Sequence, residues 1–264
     1  MIISNNVSLQ GNASLTGTLS FGSTGEMFTT NDNLTLKSTA VNTAAIGEII
    51  NGNSITGDVT VERYIPAKRA CYYLSVPTHT FQSVKQAWKE GAVHSEDNFV
   101  SGYGTQVTDN TPTWAADGFD YYSPDGPSVK KYNPVTKTYI GIANTSVNIA
   151  SKEGWMTFVR GDRTAIGLGA ISTPTVLRTK GSLHIGTQPV ISIPARQFIG
   201  IGNPYASPLD MRKISRSGIP NVFYIWDPNL GTGLGAFQTF SLNSDGNYKP
   251  TSGRWKLSCR RSSL

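Results

Sequence analysis

His94-Ser-Glu96-Asp97 is the most reactive-looking cluster in this chain. Imidazole and carboxylate groups could act there as acid and base. Further carboxylates follow at Asp117, Asp120 and Asp125, all in one long polar connection. Glycoside hydrolysis needs two carboxyl groups about 5 to 9.5 Å apart, and this stretch could supply them. If the chain is an enzyme, it is expected to be a hydrolase of a polysaccharide or ester, built on His94, Glu96, Asp97, Asp117 and Asp120. The simpler reading makes them solvated turn residues. No Gly-x-Ser-x-Gly elbow occurs, nor does the strand–helix alternation that such an elbow requires. A triad on His94 or His184 is left open by chain order, because triads are defined by geometry.

Binding chemistry is the other possibility. Trp114, Phe119, Tyr121 and Tyr122 lie in the same Gly/Asp/Pro-rich stretch. Sugars stack their C–H faces on such rings while Asp and Asn bond the hydroxyls. Asp117-Gly-Phe-Asp120, Asp125-Gly126 and Asn243-Ser-Asp245-Gly-Asn247 place oxygen ligands in tight turns. Calcium favours such ligands, although none of these matches an EF-hand loop and ordinary β-turns use the same residues. The three His and two Cys residues show neither HExxH nor CxxC spacing, so transition-metal sites and other cofactors are not expected. Arg160-Gly161-Asp162 spells a tripeptide read by some adhesion receptors, though its expected place after an apolar strand suits a turn equally well.

The elements that position these groups must be β. The 264 residues include 27 Gly and 14 Pro, and only 15% are charged. Such punctuation favours many short strands. No apolar run reaches about 18 residues, so no helix is expected to span a membrane. Met1-Ile-Ile-Ser-Asn-Asn lacks a basic region and an apolar core, and no signal peptide is expected here. The net charge of +6 hints at nucleic acid. Arg254, Lys256, Arg260 and Arg261 account for most of it, leaving 19 basic and 17 acidic residues before position 254. The remaining cations are scattered rather than convergent, so nucleic-acid binding is not expected.

Residues 1–57 form a compositional block in which Ser, Thr, Asn and Gly fill 31 of the 57 positions. The apolar pairs Val7/Leu9, Ala13/Leu15, Leu19/Phe21, Met27/Phe28 and Leu34/Leu36 start about six to eight residues apart. That spacing is tight for hairpins and suggests a short solenoid-like β segment, with a meander of edge strands as the alternative. Residues 58–253 read as a β-sandwich or jelly roll. Its strands are expected at 58–65, 72–76, 130–132, 138–142, 154–159, 175–178, 197–201, 222–226 and 236–240. Two short helices are expected, one at 81–91 capped by Thr80 with Phe81, Val84, Ala87 and Trp88 on its buried face. The other is capped by Ser207 and runs to Ile214. Residues 254–264 read as a disordered or non-native tail. Cys71 resembles a buried strand residue, and a bridge to Cys259 is conceivable in an exported protein.

Several phrases carry a resemblance: Gly57-Asp-Val-Thr-Val-Glu-Arg-Tyr-Ile-Pro66, Phe158-Val-Arg-Gly-Asp-Arg163, Thr175-Val-Leu-Arg-Thr-Lys-Gly181, Ile201-Gly-Asn-Pro-Tyr205 and Tyr224-Ile-Trp-Asp-Pro228. In this order they resemble a β-rich region of large Bacteroidetes surface proteins exported by type IX secretion. In that family the region lies between solenoid or adhesin-like repeats and a C-terminal sorting domain. The resemblance implies a piece of a secreted or cell-surface protein and assigns no catalytic residues. It also makes Arg160-Gly161-Asp162 a structural turn. The expected function is a non-catalytic module for adhesion or glycan contact and domain spacing, with glycans or other surface ligands as partners.

Overall fold

The structure is a computed structural model that describes residues 1–97, 100–121, 126–149, 152–231 and 233–255. The chain is mainly β. Its first part is nine short strands: β1 (Ile2–Ile3), β2 (Val7–Ser8), β3 (Ala13–Leu15), β4 (Thr18–Phe21), β5 (Met27–Thr29), β6 (Leu34–Leu36), β7 (Ala45–Ile46), β8 (Ser54–Thr56) and β9 (Val59–Ile65). They pair in parallel as β1-β4-β7, β2-β5-β8 and β3-β6-β9. Every third strand therefore stacks on its counterpart, and the chain winds in a stacked β arrangement with three strands to a coil. The recurring apolar pairs are the sides of these coils rather than the coils themselves.

Inside the stack, equivalent residues form ladders: Val7 on Phe28 on Ile55, and Ala13 on Leu34 on Val59. Phe28, Leu34 and Val59 are buried in a common core with Ile3, Leu19 and Ile46. The abundance of Asn and Thr has a physical cause at the corners, where the ladder of backbone bonds is broken. There Asn6 Oδ1 takes the N–H of Met27 at 2.8 Å, and Asn53 Oδ1 takes that of Glu26 at 2.9 Å. Asn31 Nδ2 donates to the carbonyl of Leu9 at 2.8 Å, one coil away. Side-chain amides replace the strand-to-strand bonds that a turn cannot make. Asn31, Asp32 and Asn51 also adopt φ values of 47°, 61° and 57°, a left-handed conformation that Asn and Asp tolerate best after Gly.

β9 belongs to two systems. One edge continues the parallel stack through β6, and the other pairs antiparallel with β17 (Thr175–Leu183) over seven residues, Ile65 opposite Thr175 and Val59 opposite Gly181. The intervening and following strands are β10 (Ala70–Leu74), β11 (Thr78–His79), β12 (Thr108–Asp109), β13 (Asp120–Tyr121), β14 (Val129–Asn133), β15 (Thr138–Gly141), β16 (Trp155–Val159), β18 (Val222–Asp227), β19 (Ala236–Leu242) and β20 (Tyr248–Trp255). The four-stranded antiparallel sheet β10-β16-β14-β15 is covered on both faces. Alternation explains how. Tyr72, Trp155 and Val159 point into a core shared with Ile65 and Leu177 of the β9/β17 sheet, while Cys71 and Met156 point the other way onto Trp226 and Phe237. Those two residues belong to the antiparallel sheet β18-β19-β20. Trp226 Nε1 donates to the Cys71 carbonyl at 2.6 Å, so the second contact is polar as well as apolar. Cys259 lies outside the described residues.

Some elements differ from expectation. The first helix is a single turn, α1 (Val84–Ala87), capped by Ser83 rather than Thr80. Ser83 and Gln86 form a reciprocal capping box that satisfies two terminal N–H groups at once, which Thr80 cannot do. Val84, Ala87 and Trp88 are buried as expected, but Phe81 precedes the helix and is 90% exposed. The second helix is a 3₁₀ turn over Met211–Lys213, and its cap is Asp210 rather than Ser207. The expected strand at 197–201 reduces to a single bridge between Glu153 and Ile201. Gly200 lies there against the Tyr73 hydroxyl, so close that a Cβ would fall 1.6 Å from it. β20 extends to Trp255, two residues into the segment expected to be disordered; residues 256–264 lie outside the described residues.

Tyr73 sits in an aromatic group with Tyr139 and Phe237, at centroid distances of 6.3 and 6.2 Å. Burial pushes the Tyr73 hydroxyl up to about 12 and also raises Tyr139. Above pH 10 the unfolded chain releases the Tyr73 proton that the folded chain keeps up to about 12. Stability should therefore fall as pH rises across that window, by about 1.4 kcal/mol per pH unit from this residue. Urea unfolding of wild type and Tyr73→Phe measures it. Identical alkaline slopes for the two proteins would refute the effect.

Candidate functional site

The polar connection folds around its own aromatic residues. β12 and β13 pair in parallel, Thr108 opposite Asp120 and Asp109 opposite Tyr121. Between them the backbone makes successive turns, with Trp114 N bonded to Thr111 O at 3.1 Å and Phe119 N to Trp114 O at 2.9 Å. Phe119 is the anchor, buried at 1% exposure in the main core. Trp114 leans on that core from outside. Its ring meets that of Tyr121 at 5.2 Å and 45°, and Tyr121 is half exposed.

The same connection borders a cleft of about 360 Å³, lined among others by Asp109, Asn110, Thr113, Asp117, Pro127 and Ile142; Tyr121 stands opposite Asp109 in the ladder. Asp109 is only 5% exposed, and its Oδ1 accepts the N–H of Asn110 at 2.8 Å. Asp117 is half-buried. Its main chain is fixed from both sides, by Thr113 O at 2.9 Å and by Thr145 N at 2.9 Å. The walls thus combine carboxylates, an amide, a hydroxyl and apolar surface.

Beneath the connection is a buried ionic hub. Asp120, wholly buried, accepts Lys89 Nζ at 3.1 Å and Arg163 Nη1 at 3.1 Å. The N–H of Val107 adds a bond at 2.8 Å. Arg163 also donates to the carbonyls of Asp97, His94 and Thr105 at 2.7, 2.7 and 3.1 Å. Burial lowers the Lys89 pKa, and Asp120 works against that shift. Every strong group in the hub is saturated by another protein group, which suits it to holding the connection in place.

The chain matches no family model, no curated protein and no solved structure.

The candidate residues fall into separate places. His94 and Asp97 meet at 3.3 Å in an exposed turn. There the Asp97 carboxylate caps its own backbone, and the N–H of Val93 leads the bonds that lower its pKa. Glu96 is at the surface of the same turn. Asp117 lines the cleft, whereas Asp120 is sealed in the hub and Phe119 in the core. Tyr122 and Asp125 lie outside the described residues. Asp245 and Asn247 belong to the turn between β19 and β20, where Asp245 takes Lys249 at 2.5 Å and the N–H of Asn247 at 3.0 Å. Among the described residues no three His, Cys, Asp or Glu side chains gather in a way that could hold a metal. Sequence reading overlooked Asp109 and Asn110 in the cleft. Their signal was a polar pair just ahead of Pro112, which marks the end of a strand.

Proposed function

We propose that this chain is a non-catalytic module of a secreted or cell-surface protein that contacts glycans through the cleft beside Trp114 and Tyr121. The observation that carries the reading is a cleft walled by carboxylate and amide groups, on a connection that also carries the Trp114–Tyr121 ring pair, tilted at 45°. In this reading a short solenoid leads into a β-sandwich, and the two hold the ligand-bearing loop away from neighbouring domains. The phrases shared with type IX-secreted surface proteins support placing it at the outer surface.

Glycan-array binding of wild type, Trp114→Ala and Tyr121→Ala tests this. Binding should weaken about tenfold in either variant, the size of effect one aromatic contact supports. Tyr121 is 51% exposed, so its replacement separates binding from folding. An array with no ligand for the wild-type protein would refute the glycan reading.

A second reading has one observation in its favour. Asp109 and Asp117 line the same cleft, as the paired carboxylates of a glycoside hydrolase do. Release of reducing sugar by the wild type, abolished by Asp117→Asn, would support hydrolysis over simple binding.

A further inference from the structure

We infer that the cleft selects saccharides bearing free amines, such as glucosamine units, over acidic or N-acetylated sugars; this rests on the glycan reading above. Charge is the first ground. Among the described residues, Asp109 and Asp117 are the ionisable side chains that line the cleft, and no Lys, Arg or His lines it. Residues 108–127 contain four Asp and no basic residue. The cleft is thus locally acidic in a chain whose net charge is +6.

The state of Asp109 is the second ground. Among the buried carboxylates, Glu62 and Asp120 face a cation, Lys37 at 2.6 Å and Lys89 at 3.1 Å, whereas Glu26, Asp109 and Asp162 have no ion pair among the described residues. Asp109 is 5% exposed. Yet its hydrogen bonding among the described residues is confined to the Asn110 N–H, and no ion pair reaches it. A carboxylate withdrawn from water gains most from a cationic donor. Because Asp109 lines the cleft, a bound ligand is placed to supply that donor.

A protonated sugar amine carries three N–H donors on a compact charge, like the lysine ammonium. It can bond Asp109 or Asp117 from within the cleft. N-acetylation removes both the charge and two of the donors, and a uronate or sulfate would be repelled by both carboxylates.

Calorimetric titration of the full chain at mildly acidic pH tests the inference, using a deacetylated chitosan hexasaccharide, its N-acetylated form and a neutral β-glucan hexasaccharide. The deacetylated ligand should bind about tenfold more tightly than the other two. Asp109→Asn and Asp117→Asn should each erase most of that preference. Asp117 is the more exposed of the two, so its variant answers even if Asp109→Asn fails to fold. Equal or tighter binding of the acetylated or neutral ligand would overturn the inference and leave the glycan reading intact. A preference that survives both substitutions would overturn it as well. Absence of binding to all three ligands would overturn it together with the glycan reading at this cleft.

Discussion

Asp120→Ala is expected to remove about 3–5 kcal/mol of folding stability, the cost of breaking a buried ion pair by deleting one partner. The substitution leaves two cations facing each other in the interior. Lys89 Nζ would keep only the Gly118 carbonyl at 2.6 Å, and Arg163 its three backbone carbonyls. Burial already disfavours the charged form of Lys89, and without Asp120 nothing on the acid side offsets it. Urea unfolding followed by circular dichroism measures the loss. A change below about 1 kcal/mol, the range of exposed pairs, would show that the hub does not hold the connection together. The triple replacement Lys89→Met, Asp120→Leu, Arg163→Met should recover part of the loss, because a packed apolar cluster avoids the desolvation penalty.

The second large effect concerns Asp162. Its carboxylate accepts the N–H of Gly102 at 2.9 Å, the N–H and hydroxyl of Thr164 at 3.0 and 2.5 Å, and the Thr173 hydroxyl at 3.0 Å. Asp162→Ala should cost about 3 kcal/mol, since several donors to a charged group lose their acceptor together. Burial raises its pKa, but the bonds from Thr164, Gly102 and Thr173 outweigh burial and hold it below 3.8. The stabilisation is thus fully present above 3.8 and disappears as pH falls through the lower folded value. Acid titration of stability should show a steeper decline in wild type than in Asp162→Asn. Parallel acid limbs would count against this account. The same contacts decide the Arg-Gly-Asp question. Arg160 and Asp162 are 1% and 4% exposed, and Gly161 lies so close to Thr173 that a Cβ would meet its Oγ1 at 2.5 Å. A receptor cannot reach this tripeptide in the folded chain. Its residues tie a turn.

Legibility followed the range of the interactions. The apolar pairs of residues 1–57 were visible because each ladder residue repeats one coil later, as Leu34 and Val59 do. The alternation of Val59 to Ile65 announced β9 for the same reason. The helix start was misplaced by three residues because Thr80 and Ser83 are both competent caps, and only Gln86 distinguishes them. Trp114 and Asp117 stood out by residue type. Asp109 did not, since nothing local marks a carboxylate that the fold will bury. The hub was invisible in principle: Lys89, Asp120 and Arg163 come from elements 31 and 43 residues apart, and no period or motif connects them.

The shared strand β9 also sets how the chain responds to mechanical load. Val59 stands opposite Gly181, so the polypeptide enters β9 and leaves β17 at the same end of the ladder. Tension drawn from the amino-terminal coils toward the carboxyl-terminal sheet therefore opens this pair like a zipper, one rung after another from Val59. Shearing would demand that all seven rungs fail together. The joint yields gradually under a pull.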